Sequence, residues 1–152
     1  EDVARHLLWH LEKAGYAIAG GPAPVDVVVA LRDRVHTLKE MAEKARCWYC
    51  PLTDDDIDAA AAAKQLTAAV REPLGVFTGK LEALPEWTLA GVHAAFAGTL
   101  AELDLPMCKL GPAIRVAITG NTASPSIDHT VFLCGRDQAL MRLHAAIGRL
   151  PA

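Results

Sequence analysis

The chain has 152 residues, enough for one ordinary domain or for two small helical subdomains that share a core. Hydrophobic residues make up 52% of it and charged residues 22%, which excludes a disordered chain. The net charge of −3 and the sequence pI near 6.1 argue against a domain that holds nucleic acid mainly through overall positive charge. Such domains usually have a pI above about 9, so any RNA binding must come from local clusters.

The composition also predicts the fold class. Aromatic residues make up only 5% of the chain, while alanine, the best helix former, is abundant. We therefore expect an all-α protein. The sequence has no signal peptide and no apolar run long enough to span a bilayer, and a chain of this size needs no disulfide framework. These features, with a first residue that is not Met, predict a cytoplasmic protein that is a fragment of a longer chain.

The first third of the chain contains three predicted helices. Residues 3–13 form an amphipathic segment, which a run of glycines and prolines ends. Residues 25–34 predict a short helix, although their β-branched run is also compatible with a strand. A capping box starts the third helix: Thr37 caps the first turn, and Glu40 binds back to the Thr37 amide. That helix is expected to end near Arg46. The apolar residues expected to be buried in the first two helices are Val3, Leu7, Leu8, Leu11, Val25, Val28, Val29 and Leu31.

An acidic run marks the next helix. Asp54, Asp55 and Asp56 precede Ile57 and a run of alanines. Acidic side chains at a helix N-terminus complement the helix dipole. The helix is predicted to cover residues 57–71, and the proline at position 73 either ends it or starts another one.

Further helices are predicted in the second half. Residues 88–103 are the clearest amphipathic segment. Residues 109–119 are apolar, but their periodicity leaves a helix and a strand both open. Ser124 and Pro125 suit a helix start, as N-cap and first helical residue. Gly135 separates that helix from the last one, in which the predicted buried stripe is Leu140, Leu143, Ile147 and Leu150.

Together these segments predict an all-α helical bundle or cage of about seven to nine helices. We expect it to be organised as two small helical subdomains. Residues 1–80 would form the first, and residues 81–152 would form the second.

The sequence contains no recognisable catalytic constellation. Cys47 and Cys50 form a Cys-x-x-Cys pair, but a structural zinc site needs four ligands and no second pair is close in sequence. Trp48 and Tyr49 between them are expected in the core rather than on a base-stacking surface. There is no Gly-rich phosphate loop and no nucleophile elbow. We therefore expect no metal, no cofactor and no catalytic residue in this chain.

Two stretches carry a resemblance to a known family. The first is Arg32-Asp33-Arg34-Val35-His36-Thr37-Leu38-Lys39-Glu40. The second is Lys109-Leu110-Gly111-Pro112-Ala113-Ile114-Arg115-Val116-Ala117-Ile118-Thr119-Gly120, which continues through Ser124-Pro125 to Leu133-Cys134-Gly135-Arg136-Asp137-Gln138-Ala139-Leu140. With a tryptophan before a helix at Pro85-Glu86-Trp87-Thr88, they resemble the C-terminal third of bacterial glutamyl-tRNA synthetases. The resemblance covers nearly the whole chain.

The resemblance implies an all-helical anticodon-binding region. In that family, ATP and glutamate bind to a separate N-terminal domain whose His-x-Gly-His and Lys-Met-Ser-Lys-Ser signatures are missing from this sequence. The chain would therefore bind tRNA without charging it. The expected partners are the anticodon loop of glutamate tRNA and the catalytic domain of the same protein, with no DNA and no membrane.

The resemblance also implies an RNA-binding set of residues. Arg34 matches the arginine that reads the last anticodon base, with Arg32 as the neighbouring option, and Arg115 matches an arginine that contacts the other anticodon bases. Two alternatives stay open: Arg34 as a solvated residue before a helix, and Arg115 as a member of a structural ion pair. The loop and helix start expected to touch splayed bases consist of Ser124, Pro125 and Ile127.

A different class of function is the main rival. Alanine-rich amphipathic helices and a negative net charge also suit a helical protein–protein docking module. That module would expose a large apolar patch. The RNA-binding hypothesis instead predicts a basic surface that meets Arg115. This surface would be formed by Arg34, Lys39, Lys44 and Arg46.

Overall fold

The structure is a computed structural model that describes residues 2–16, 21–50, 57–121 and 126–150. Within these ranges all regular structure is helical, which confirms the all-α prediction and the expected number of helices. The α-helices in chain order are α1 (Asp2–Lys13), α2 (Pro24–Leu31), α3 (Leu38–Tyr49), α4 (Ala59–Gln65), α5 (Arg71–Glu82), α6 (Leu89–Leu103), α7 (Met107–Thr119), α8 (Ile127–Cys134) and α9 (Arg136–Arg149).

The buried face of α2 differs from the prediction. Val27 and Leu31 are buried against α1, but Val25 and Val29, which were expected inside, are 46% and 50% exposed. Apart from Asp26, the residues of this helix are all apolar, so its sequence marks no single buried face. The contacts of α2 with α1 and α3 decide which valines are buried. Val3 of α1 was also expected to be buried and is exposed.

The start of α3 confirms half of the capping box. Thr37 Oγ1 accepts a hydrogen bond from the Glu40 amide at 3.0 Å, as predicted. The Glu40 carboxylate, however, accepts from the His36 amide at 3.4 Å and not from that of Thr37. The helix continues past its expected end, because Trp48 and Tyr49 are buried in the core and extend its apolar face.

The single helix predicted over residues 57–71 is wrong. α4 ends at Gln65, and a 3₁₀ turn at Ala68–Val70 leads into α5. An alanine run has high helix propensity but little apolar surface to bury, so it does not hold one long helix in register. Asp58 provides the N-cap of α4, since its carboxylate accepts from the amides of Ala60 and Ala61. The acidic run at 54–56 lies outside the described residues.

Pro73 starts a helix, which is one of the two predicted alternatives. It lies in the first turn of α5, where its missing N–H has no intrahelical partner to lose. The rest of α5 was not predicted. It packs against α6 and α9, and its Phe77 ring meets the Phe96 ring of α6 edge to face at 5.9 Å between centroids. Thr88 caps α6 by accepting from the Gly91 amide at 2.9 Å.

Residues 109–119 form a helix and not a strand. Leu110, Ile114 and Ile118 repeat every four residues and are fully buried on one face of α7. Gly120 ends the helix with a φ of 89°, a left-handed conformation that glycine adopts without strain, and its amide bonds to the Val116 carbonyl.

The last two helices meet at Gly135, as predicted, with a φ of 86°. α8 begins at Ile127 with Ser126 in the N-cap position. The predicted N-cap Ser124 and the predicted first helical residue Pro125 lie outside the described residues. In α9 the buried stripe is rotated from the prediction, because Leu140 and Ile147 are only partly buried. The residues buried in α9 are Ala139, Arg142, Leu143 and Ala146.

The buried apolar residues of all these helices form one continuous cluster. α3 packs against α8, and α5 packs against α9, so the two halves of the chain are in contact. The predicted boundary at residues 80/81 falls inside α5, and the division into two subdomains stays a prediction. None of the helices in the described ranges is long and apolar enough to cross a membrane.

Candidate nucleic-acid interface

Arg34 lies in the turn that joins α2 to α3. Its amide donates to the Leu31 carbonyl at 2.8 Å, which fixes the backbone of the turn, and its side chain is exposed. Arg32 is also exposed and sits at the C-cap of α2, where its amide bonds to the Val28 carbonyl at 2.8 Å. Both arginines that the resemblance offered for the last anticodon base are therefore on the surface.

Arg115 comes from a distant part of the chain. It is half-buried on α7 between Ile114 and Val116, which are fully buried. Burial and the positive charge of Arg34 both lower the pKa of Arg115. Arg34 is therefore near enough to Arg115 in the fold for its positive charge to act on that guanidinium group. The repelling charge comes from Arg34 and not from Arg32.

Further basic residues extend along α3. Lys39, Lys44 and Arg46 are exposed on this helix, but Glu40 and Glu43 are interleaved with them. These glutamates offset part of the positive charge along α3. Whether the α3 residues join it in holding RNA stays a prediction, and so does the alternative of a structural ion pair at Arg115.

The start of α8 was predicted to touch RNA through three residues. Ser124 and Pro125 lie outside the described residues. Ile127 is only 3% exposed. Its side chain packs over Gly111 of α7, and a Cβ atom placed on that glycine would lie 3.7 Å from Ile127 Cδ1. Its side chain is thus part of the core, and an RNA contact at this residue would use its backbone.

A polar cluster that the sequence analysis missed surrounds the first turn of α8. Asp128 accepts hydrogen bonds from Ser126 Oγ and from the His129 amide, and its other oxygen lies 3.5 Å from His93 Nδ1 of α6. Burial raises the pKa of the Asp128 carboxyl, but these hydrogen bonds and the two histidines outweigh that effect and lower it. His93 is exposed, and so is His144, which pairs with Glu82 at 2.9 Å.

Arg142 is a second missed residue. It is 5% exposed on α9, and its Nη1 donates to the carbonyls of Cys47 and Ile118, each at 2.7 Å. Its Nη2 donates to the Cys50 carbonyl at 3.0 Å. The cation thus joins the C-terminal ends of α3 and α7. The sequence did contain one signal that could have identified Arg142: it lies beside Leu143, on the predicted buried stripe of an amphipathic helix.

Two tryptophans fix α8 from opposite sides. Trp48 Nε1 of α3 donates to the Thr130 carbonyl at 3.1 Å, and Trp87 Nε1 donates to the Phe132 carbonyl at 3.0 Å. A buried indole N–H needs an acceptor, and the main chain of α8 supplies both. The expectation that Trp48 belongs to the core is confirmed, while Trp87 is partly buried.

Two of the cysteines, Cys47 and Cys134, are poorly suited to thiolate chemistry. Burial raises the pKa of Cys134 to about 11 and that of Cys47 to about 12. Cys108, in contrast, is exposed. In the ranges that the structure describes, no three His, Cys, Asp or Glu side chains are grouped to hold a metal ion.

Comparison with known proteins provides an independent line of evidence. Residues 2–147 match the family described as "Anticodon binding domain". A glutamate–tRNA ligase of Stenotrophomonas maltophilia is 52% identical over 153 residues, which cover 99% of this chain and 32% of that protein. One from Xylella fastidiosa is 48% identical over 145 residues, covering 95% of this chain and 31% of that protein. The chain thus spans about a third of the length of these curated relatives.

Solved structures agree on the fold. A crystal structure of a glutamate tRNA ligase from Elizabethkingia meningosepticum, in complex with its amino acid, superposes with a TM-score of 0.85. It is 14% identical in sequence, and the match covers 99% of this chain and 29% of that one. The glutamate-tRNA synthetase of Elizabethkingia anophelis gives a TM-score of 0.78 at 15% identity, over 97% of this chain and 28% of that one.

Proposed function

We propose that this chain, which belongs to the anticodon-binding domain family, reads the anticodon loop of glutamate tRNA. The observation that carries the proposal is the approach of Arg34 to Arg115. Two arginines from distant parts of the chain form a local positive site on a protein whose net charge is −3. Such a site favours an anionic, hydrogen-bond-accepting partner, and an RNA loop is both.

The charges of the two guanidinium groups would act on the same ligand. RNA phosphates or base carbonyl oxygens placed beside both groups would be attracted by two positive charges at once.

The chemistry of arginine accounts for a preference for cytosine. A guanidinium only donates hydrogen bonds, and it presents its donors in a planar fork. Cytosine offers two adjacent acceptors, N3 and O2, on its Watson–Crick edge, whereas guanine places a donor at N1. Glutamate anticodons end in C and glutamine anticodons end in G. Arg34 would therefore accept glutamate tRNA and disfavour glutamine tRNA, with Arg115 facing the other anticodon bases.

The beginning of α8 would contribute a second contact region. Ser124, Pro125 and Ile127 are the residues proposed there, and the buried Ile127 side chain limits that residue to a main-chain contact. Free amides at a helix start suit phosphate or carbonyl oxygens.

The chemistry of charging would belong to the rest of the ligase. In the full-length protein, a catalytic domain would bind ATP and glutamate, and this chain would supply tRNA recognition with no cofactor of its own. We place that protein in the cytoplasm, where tRNA is charged.

Two RNA stem-loops test the proposal. They are identical except for C or G at the last anticodon position, and their affinities are measured for the wild-type chain, Arg34→Gln and the matched control Arg32→Gln. Discrimination by a bidentate arginine is worth about 1–3 kcal/mol, or about 5- to 150-fold in affinity. We expect wild type and Arg32→Gln to prefer C by this much, and Arg34→Gln to lose the preference. Equal binding of both loops by wild type would refute discrimination by this chain.

Salt dependence tests the electrostatic part separately. Each phosphate neutralised on a single strand contributes a slope of about −0.7 to the logarithm of affinity against the logarithm of salt concentration. Arg115→Gln should weaken binding to both loops and reduce the slope. An affinity that does not change with salt would contradict binding through this cationic pair and favour the protein-docking alternative.

A further inference from the structure

The buried cation of α9 lies where two distant helices end. Arg142 donates three hydrogen bonds to main-chain carbonyls: two belong to the end of α3, at Cys47 and Cys50, and one belongs to the end of α7, at Ile118. All three donor–acceptor distances are between 2.7 and 3.0 Å. The side chain is therefore held by both helices at once.

Carbonyls at helix C-termini explain why a charge is tolerated there. The last turn of a helix has free carbonyl groups and carries partial negative charge. Two such ends converge on Arg142, so the cation is compensated without a carboxylate among the described residues. Two other carbonyls near the end of α7 have local donors: the Thr119 hydroxyl donates to the Arg115 carbonyl, and the Gly120 amide donates to the Val116 carbonyl. The Ile118 carbonyl accepts from Arg142, which comes from a different helix.

The same two helices support the proposed anticodon site. Arg115 lies on α7 one turn before the carbonyl that Arg142 holds. Arg34 lies in the turn before the other end of α3, and its amide bond to the Leu31 carbonyl holds that turn. α3 has 12 residues and a length of about 18 Å, so fixing its C-terminal end on α7 helps to set where Arg34 stands relative to Arg115.

We infer that Arg142 is a positioning residue for anticodon reading, an inference that rests on the proposed function. It holds α3 and α7 in one register, so that Arg34 and Arg115 face the same loop. It does not touch RNA, because it is buried. Discrimination between two bases depends on sub-ångström placement of donors, and a clamp between the two supporting helices provides it.

One other connection competes with this one. Trp48 of α3 donates to Thr130 of α8, and α8 packs on α7. If that route alone locates α3, the arginine contributes to stability and leaves recognition unchanged. The experiment must separate these two roles.

Two matched substitutions do so. Arg142→Lys keeps the charge but loses the planar fork, so it cannot reach all three carbonyls in their present geometry. Arg136→Lys is the control: Arg136 also lies on α9 and also donates to carbonyls at a helix end, those of Leu81, Glu82 and Leu84 after α5. Neither these three carbonyls nor the Trp87 ring beside its guanidinium group belongs to α3 or α7. Affinities for the C and G stem-loops are measured at low temperature, after circular dichroism has shown each variant to be folded.

The expected result is a change in the ratio of the two affinities. Arg142→Lys should lower the C-over-G ratio by about threefold or more, while Arg136→Lys keeps the wild-type ratio even if it is equally destabilised. An unchanged ratio in folded Arg142→Lys overturns the inference and leaves the proposed function intact. If the wild-type chain shows no preference for the C stem-loop over the G stem-loop, in contrast, the proposed function itself is overturned.

Wild-type protein provides a second measurement in case Arg142→Lys does not fold. The side-chain NMR signals of Arg142 and Arg136 are followed while either stem-loop is added. If Arg142 couples the two helices of the site, its signals shift on binding of the C loop, while those of Arg136 stay in place. Signals of Arg142 that do not move when the C loop binds contradict the inference.

Discussion

Replacing Arg142 with methionine tests how strongly one buried side chain joins the two halves of the fold. Methionine keeps most of the volume and removes the charge, leaving the carbonyls of Cys47, Cys50 and Ile118 without their donor. Each hydrogen bond to a charged group contributes about 1.5–3 kcal/mol. Removing the cation also removes the cost of burying it, so the sum of the three bonds is an upper limit. We expect a net loss of about 3–5 kcal/mol.

Urea unfolding measures this loss. A chain of 152 residues has a stability of about 8–20 kcal/mol, so the variant should remain folded in water. With a slope of about 2 kcal/mol per molar urea, the midpoint should fall by about 2 M. Arg136→Met is the control and should lose less, because that side chain is only partly buried and two of its bonds are as long as 3.3 and 3.4 Å. A midpoint for Arg142→Met within about 0.3 M of wild type would refute the assignment of three buried hydrogen bonds.

Three further predictions concern ionisation and access. Burial and the negative charge of Asp26 raise the pKa of Tyr49 to about 12, above its unfolded value of 10.0. The stability contributed by neutral Tyr49 should be fully present below pH 10 and be lost as the pH rises towards 12. Urea unfolding midpoints measured over this pH range check this. Asp128 has a lowered pKa, so its contribution is present above about pH 4 and is lost as the pH falls through the folded value. Asp128→Asn should therefore cost about 1 kcal/mol in urea unfolding at pH 7 and much less at pH 3. Cys108 is exposed and Cys134 is buried with a raised pKa, so maleimide at pH 7.5 should label Cys108 first.

Each of these three predictions has an internal control. Tyr49→Phe removes the alkaline loss attributed to that residue, and a wild-type midpoint that stays constant from pH 9 to pH 11.5 would contradict the raised pKa. An equal cost of Asp128→Asn at both pH values would show that the carboxylate has no stabilising charge. For the thiols, denaturant should equalise the two labelling rates; equal rates in the native protein would mean that Cys134 is not in the core.

Local signals in the sequence predicted the parts of the fold that local interactions decide. Thr37 marks a helix start because its side chain accepts from an amide three residues later. Thr88 does the same at the start of α6, although no cap was predicted there. α6 and α7 were located because their apolar residues are spaced to form one buried face, although for α7 the choice between helix and strand needed the structure.

Other parts of the fold depend on contacts between distant residues and could not be read from patterns. Every residue of α2 except Asp26 is apolar, so the neighbouring helices determine which of its valines are buried. α5 contains Pro73, Gly75 and Gly79, which disfavour a helix locally, yet burial of Leu74, Phe77 and Leu81 holds it in place.

The candidate site shows the same division. Arg34, Arg32 and Arg115 were identified through resemblance to a family, and no periodicity pointed to them. That Arg34 and Arg115 lie together is a property of the fold, and so is the clamp at Arg142, whose three acceptors are carbonyls that every sequence possesses. Because these acceptors are main-chain atoms, the pattern of side chains in the sequence does not reveal them.

The central claim is tested most directly by a structure of this chain bound to an anticodon stem-loop that ends in C. The account predicts nitrogens of the Arg34 guanidinium within about 3 Å of N3 and O2 of the last anticodon base, with Arg115 facing the same loop. A loop bound elsewhere, such as over the exposed valines of α1 and α2, or a last base that Arg34 does not contact, would contradict it.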